Sequence, residues 1–157
     1  MIPTAANARP YWGKYRGRVV GNTDPLNLGR VRVMVPGIGG GLEVQAMPCT
    51  PYAGPRVGFF MLPPIDANVW VEFEGGELDR PIWTGCFWGE GNSGPPRDAK
   101  SPDVKLIQTE KLLLILDDQQ EKLTALLGDS GDQAGGQTMS LVMDAKGIVL
   151  NSKGVTI

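Results

Sequence analysis

The chain has 157 residues, 41% hydrophobic and 20% charged, with 22 Gly, 13 Pro, two Cys, no His and a net charge of −2. Without imidazole, Ser-His, Cys-His and His-ligated metal chemistry are excluded, and acid/base work near neutral pH falls to a perturbed carboxylate or Lys. The near-neutral balance gives no pull toward nucleic acid or an anionic membrane.

The start Met-Ile-Pro-Thr-Ala-Ala-Asn lacks a cationic then apolar signal. The longest aliphatic run, Leu112 to Leu116, is far short of the roughly 20 apolar residues of a membrane span, so a soluble protein made in the cytoplasm is expected. Cys49 and Cys86 form no CxxC pair and read as reduced, small apolar fillers. Every aromatic lies between Tyr11 and Trp88, and every proline lies at or before Pro102. Residues 1–88 sum to 8 − 7 = +1 and residues 89–157 to 7 − 10 = −3, which marks two modules with different core chemistry.

Residues 1–12, with Pro10, Tyr11 and Trp12, read as an N-terminal arm that docks on something. Residues 13–88 carry short β-branched and aromatic runs separated by Gly, Pro and Asn, the mark of strands. Lys14 to Gly21 leads into a turn over 22–29, and Arg30 to Val35 then alternates before Pro36 stops it. Val31, Val33 and Val35 face one way; Arg30 and Arg32 face water or a partner. Val44 to Met47, Val57 to Leu62, Asn68 to Phe73 and Ile82 to Trp88 complete about six strands, a spacing that suits a small barrel or sandwich, with an OB-like barrel as the preferred closure. In the fifth of these runs Val69, Val71 and Phe73 form the buried face. Residues 89–103 have the Gly/Pro/Ser content of a linker.

From Val104 onward two readings are open. Leu, Glu, Lys and Gln over 111–123 suit a helix, whereas Met139, Leu141 and Met143 alternate with Thr138, Ser140 and Val142 as a strand does. Asp-Ala-Lys-Gly-Ile-Val-Leu (144–150) and Asn-Ser-Lys-Gly-Val-Thr-Ile (151–157) form a seven-residue repeat of turn plus strand, which is how a β-solenoid or prism turns its corners. As a lone sheet the segment buries too little to offset the ordering of its chain, because both faces of Leu112 to Leu116 are apolar. Intertwined identical copies would bury both faces and cover the edges, and a threefold prism is the simplest closed form. The candidate interchain packing residues are Leu112, Leu114, Leu116, Met139, Leu141, Met143, Ile148, Leu150 and Ile157. An end at apolar Ile157 leads us to expect a separate capping protein.

Gly13 to Val20, Asp24-Pro25, Gly29 to Gly37, Pro63 to Gly76 and Asp79 to Cys86 together resemble the phage baseplate assembly protein V family, in order over most of residues 13–90. Beyond 103, Gln108-Thr109 and Leu116-Asp117-Asp118 are similar to that family's first strands after the barrel. The family supplies the central spike of contractile tails in phages, R-type bacteriocins, extracellular injection systems and the VgrG proteins of type VI secretion. The resemblance implies an all-β chain: an OB-fold barrel over 13–88 and a short trimeric β-helix or β-prism needle over 104–157. It also implies a homotrimer, partners in the baseplate hub, the inner tube and a PAAR-type tip, and assembly in the bacterial cytoplasm into the baseplate of a phage tail or tail-like particle. No lysozyme domain, fused hub domain or metal-binding His pair is present, so a minimal spike with separate hub and tip is implied.

Sharper chemistry fails residue by residue. Gly37 to Leu42 has Leu where GxGxxG needs its last Gly, and no Gly-Lys-Ser/Thr follows, so it reads as a loop. Asp117 and Asp118 are strand neighbours pointing to opposite faces and read as part of a turn. Gly128 to Asp132 lacks calcium-loop spacing and reads as a solvated turn. Trp70, Trp83, Trp88 and Tyr52 are candidates for a platform stacking single-stranded nucleic acid or glycan, the alternative function; core or subunit contact is preferred. Arg16, Arg18, Arg30 and Arg32 are the candidate partner-docking residues, with Glu72, Glu74, Glu77 and Asp79 as complementary charge. The expected function is a non-enzymatic structural spike with no cofactor, no nucleic acid partner and no stable membrane insertion.

Overall fold

A computed structural model of the chain describes residues 10–89, 101–128 and 139–151. The chain divides into two compact units, residues 1–93 and 94–157. The first contains β1 (Tyr15–Gly21), β2 (Val31–Val35), β3 (Leu42–Pro48), β4 (Ala53–Gly54), β5 (Val57–Gly58), β6 (Asn68–Phe73) and β7 (Pro81–Cys86), with one 3-10 turn at Glu74–Gly76. Five of these close a barrel in the order β1-β2-β3-β7-β6. β1, β2 and β3 form an antiparallel meander; β3 runs parallel to β7 with Met47 opposite Ile82; β6 is antiparallel to both β7 and β1. That connectivity is an OB fold.

The barrel follows from period-2 patterning. Val31, Val33 and Val35 on β2 and Val69, Val71 and Phe73 on β6 all point inward, and with Val19, Ala46, Ile38 and Trp83 they make the core. Gly17 lies on the inner face of β1, where a Cβ would stand 2.5 Å from Val33 Cγ1 and 3.0 Å from Val71 Cγ2. The close approach of β1 to β2 and β6 therefore needs a residue without a side chain.

The run Val57 to Leu62 departs from expectation. Only Val57 and Gly58 are strand residues, and they pair with Ala53 and Gly54 in a two-stranded ribbon outside the barrel. Phe59, Phe60 and Met61 then follow as irregular, exposed chain. The barrel closes without them because β3 pairs directly with β7.

The second unit is a five-stranded antiparallel sheet, order β12-β11-β10-β9-β8, built from β8 (Val104–Gln108), β9 (Leu112–Asp117), β10 (Lys122–Leu127), β11 (Met139–Asp144) and β12 (Gly147–Asn151). The helical alternative for 111–123 is set aside: Leu112 to Asp117 and Lys122 to Leu127 pair residue for residue across a turn. In that turn the Gln120 N–H donates to Asp117 Oδ1, and Glu121 takes a left-handed φ of 49°. The first copy of the seven-residue repeat is a hairpin reversal, with Asp144 opposite Gly147 and the Lys146 N–H donating to Asp144 Oδ1 at 2.7 Å. It joins neighbouring strands of one chain. Ile157, nearly all of the second copy, residues 129–132, most of the 89–103 linker and residues 1–9 lie outside the described residues.

Candidate functional site

Directly paired residues in a sheet share a face, so the register assigns each side chain of the second unit to one of two sides. One row across all five strands is Ile107, Leu114, Ala125, Leu141 and Leu150. The next row on the same side is Lys105, Leu116, Leu123, Met143 and Ile148, and a third joins Leu112, Leu127 and Met139. Except for edge residue Lys105, this face is wholly apolar. Ile107, Leu112, Leu116, Leu127, Met139, Met143, Ile148 and Leu150 are each between 42% and 65% exposed on it. The opposite face mixes Gln108, Asp117, Lys122, Thr124, Ser140, Asp144 and Asn151 with Val104, Leu106, Leu113, Ile115, Leu126, Val142 and Val149. Every described residue among the sequence-derived packing candidates falls on the apolar side. The pairing partners place Leu113 and Ile115, which the candidate set omits, on the mixed side.

The docking arginines are spread over the barrel, and each has an intramolecular partner. Arg16 stacks over Trp70 and Phe87 at 5.3 and 5.0 Å. Arg18 pairs with Asp66 at 2.9 Å and Arg32 with Glu43 at 3.2 Å. Arg30, read as facing water or a partner, is instead folded into the β1–β2 loop: its Nε and Nη2 donate to Asp24 Oδ1 at 3.1 and 2.7 Å. Glu72 and Glu77, offered as complementary charge, pair with Lys14 and Arg80. Alternation along β2 identified Arg30 as outward-facing but could not show an acid six residues back on a turn.

Asp24 is buried, and its carboxylate also accepts the N–H groups of Leu26, Leu28 and Arg30, at 3.1, 2.8 and 3.2 Å. One side chain thus holds a loop containing two left-handed residues, Asn27 and Gly29. The Arg30 guanidinium, with those backbone donors, holds the Asp24 carboxyl far below the usual carboxylate range, against the opposing pull of burial. A depressed native pKa means that the stabilising contribution is fully present above the unfolded-state value of 3.8 and is lost as pH falls toward the native value. Asp24→Asn is expected to lower the melting temperature clearly at pH 7, with the gap to the parent chain narrowing below about pH 4. Thermal melts across that range check it, and a gap independent of pH would remove the carboxylate charge as the cause.

The family model for the Type VI secretion system/phage-baseplate injector OB domain matches residues 15–88, the span of the five-stranded barrel and its ribbon. The barrel belongs to that family. No curated protein matches the chain. The injector OB domain is a structural baseplate domain and not an enzyme family, so the baseplate role implied by the resemblance of residues 13–90 holds at that level. Among the described residues no group of His, Cys, Asp and Glu is placed to hold a metal, and no helix is long and apolar enough to cross a membrane.

In this injector OB domain the four aromatics considered as a stacking platform are not brought together as one. Trp83 is a core residue, 8% exposed, and its indole N–H donates to the Gly29 carbonyl at 3.3 Å. Trp70 packs against Phe87, ring centroids 4.6 Å apart, beneath Arg16. Trp88 and Tyr52 are exposed. The cluster that sequence reasoning missed joins Tyr11, Tyr15 and Phe73, with ring centroids 5.6 to 6.3 Å apart; the Tyr11 N–H donates to the Gly76 carbonyl at 3.0 Å. Tyr11, assigned to a docking arm, packs against its own barrel core. The alternation of Tyr15 with Gly17 and Val19 was the available signal for half of that cluster.

Proposed function

We propose that three copies of this chain form the central spike of a contractile-tail or injection-system baseplate. The injector OB domain joins the shaft to a separate hub and inner tube, and the C-terminal five-stranded sheet forms a rigid shaft carrying a PAAR-type tip. The observation that carries this reading is the one-sided apolar sheet. A sheet of five strands with twelve apolar side chains on one face has that face wet when alone. Two such sheets face to face would cover it but leave every β8 and β12 edge unpaired. Three in a triangular prism bury the apolar faces on the axis and bring each β12 edge beside the next chain's β8, covering the edges too.

The role is mechanical. Force passes through backbone hydrogen bonds and a dry aliphatic axis, with no catalytic residue, no cofactor and no nucleic acid. Arg16, Arg18 and Arg32 remain on the barrel surface for docking against neighbours; Arg30 is reserved for Asp24.

Native mass spectrometry of the full chain is expected to give three copies. Ala125 sits in the middle row of the apolar face, so Ala125→Glu would place three carboxylates on the axis, at several kcal/mol each to bury. That variant is expected to run as single copies. A well-folded monomer of the parent chain, or a trimer indifferent to Ala125→Glu, would overturn the spike reading.

A further inference from the structure

The two-residue ribbon β4–β5 and the chain after it stand away from the barrel and leave a groove of about 900 Å3. Met47 and Trp83 line its barrel side, and Phe59, Phe60 and Met61 line the other. Those last three are each more than half exposed, as is neighbouring Leu28, which makes this an apolar concavity open to solvent. Among the described residues its only charged lining residue is Arg56.

Two features of Arg56 stand out. Lys14, Arg18, Arg30, Arg32 and Arg80 each hold an acid, and Arg16 holds two aromatic rings; among the described residues of the barrel, Arg56 alone has neither. It also occupies the second central position of the Gly54-Pro55-Arg56-Val57 turn with φ = 64°. Pro at the first central position and a left-handed second one are the marks of a type II turn, where Gly or Asn fits without strain. An arginine there keeps a backbone cost that glycine would remove, and strain kept at one residue beside a concavity points to use of its side chain.

We propose that this groove docks an apolar segment of a different protein, one that carries a carboxylate, with Arg56 as the charged anchor. The proposal rests on reading the barrel as a joint in an assembly. Charge complementarity selects the occupant: a small apolar ligand gives Arg56 no counter-charge. A second barrel is poorly supplied too, because Asp24, Glu43, Asp66, Glu72 and Glu77 are already paired, Glu74 opens a Gly-Gly turn, and Asp79 sits beside Arg80 rather than within an apolar run. A peptide with bulky apolar residues around one Glu satisfies both the walls and the guanidinium.

The test uses the full-length chain with its methionine methyl groups labelled for NMR, since Met47 and Met61 line the groove. It is titrated to millimolar concentration with the peptide Ac-Leu-Phe-Glu-Leu-Phe-NH2 and with its Gln counterpart. The Glu peptide is expected to shift both methyl signals and to bind about tenfold tighter than the Gln peptide. Arg56→Gly is expected to melt no lower than the parent chain, because glycine suits the turn, yet to lose that tenfold preference. A purely structural Arg56 would not separate the two readouts. Absence of shifts, equal binding of the two peptides, or an Arg56→Gly chain that keeps the preference would overturn the proposal. So would Met47 and Met61 shifts that grow with protein concentration alone, which would make a second copy the occupant. Native mass spectrometry on the same samples separates this from the spike reading: three copies without peptide binding sink only the groove, and single copies that bind the peptide sink only the spike.

Discussion

A chain ending at Asp103 is expected to remain a folded barrel and to run as a single copy, while the full chain runs as three. The barrel has its own core, with Val19, Val31, Val33, Val35, Val69 and Val71 fully buried, and none of these residues comes from the sheet. Its strands close on themselves, so no edge is left needing a partner. The sheet has the opposite character, with a single buried apolar side chain, Leu113, among its described residues. Its many half-exposed leucines, isoleucines and methionines would each gain on the order of 1 kcal/mol by losing the rest of their contact with water, which concentrates the association energy in residues 104–157. Native mass spectrometry with circular dichroism of the truncated chain checks both halves of this expectation. Trimers that survive truncation would place the interface on the barrel.

Gly17→Ala is expected to destabilise the barrel by about 1–3 kcal/mol, a fall of roughly 10 °C in melting temperature for a domain of this size, and Gly17→Val by more. The cause is local: the added Cβ would stand 2.5 Å from Val33 Cγ1. Val33 is β-branched and held on β2, so it has no open rotamer into which to retreat. Val33→Ala should therefore cost stability alone but partly rescue Gly17→Ala, giving a double mutant less destabilised than the sum of the two. Thermal melts of the four chains check this, and strict additivity would show that the barrel accommodates the methyl by moving backbone.

Much of the barrel was legible because its buried strands alternate cleanly. In Val31 to Val35 and Val69 to Phe73 every second residue is apolar, and a half-buried strand has only one way to satisfy that pattern. The run Val57 to Leu62 reads just as strongly as a strand, yet it walls an open groove; a short continuous apolar run carries no phase and does not say which side is buried, or whether either is. Trp83 and Trp88 looked alike as members of a platform. Trp83 lies on β7 and points into the core, whereas Trp88 lies past the end of that strand and is exposed.

The shaft candidates show the division most clearly. The sequence by itself determined that Leu112 to Leu116 presents aliphatic side chains on both sides of its strand whatever the register. It also determined the barrel's core valines, because their spacing is a property of the chain alone. Only the tertiary structure decided that Leu114 lines up with Ile107, Ala125, Leu141 and Leu150 while Leu113 meets Gln108 and Leu126. Which of two apolar faces is continuous depends on strand partners distant in sequence, and so do the pairing of Arg30 with Asp24 and the solitary charge of Arg56 in its groove. Contacts of that kind are set by how turns fix register, which periodicity cannot encode.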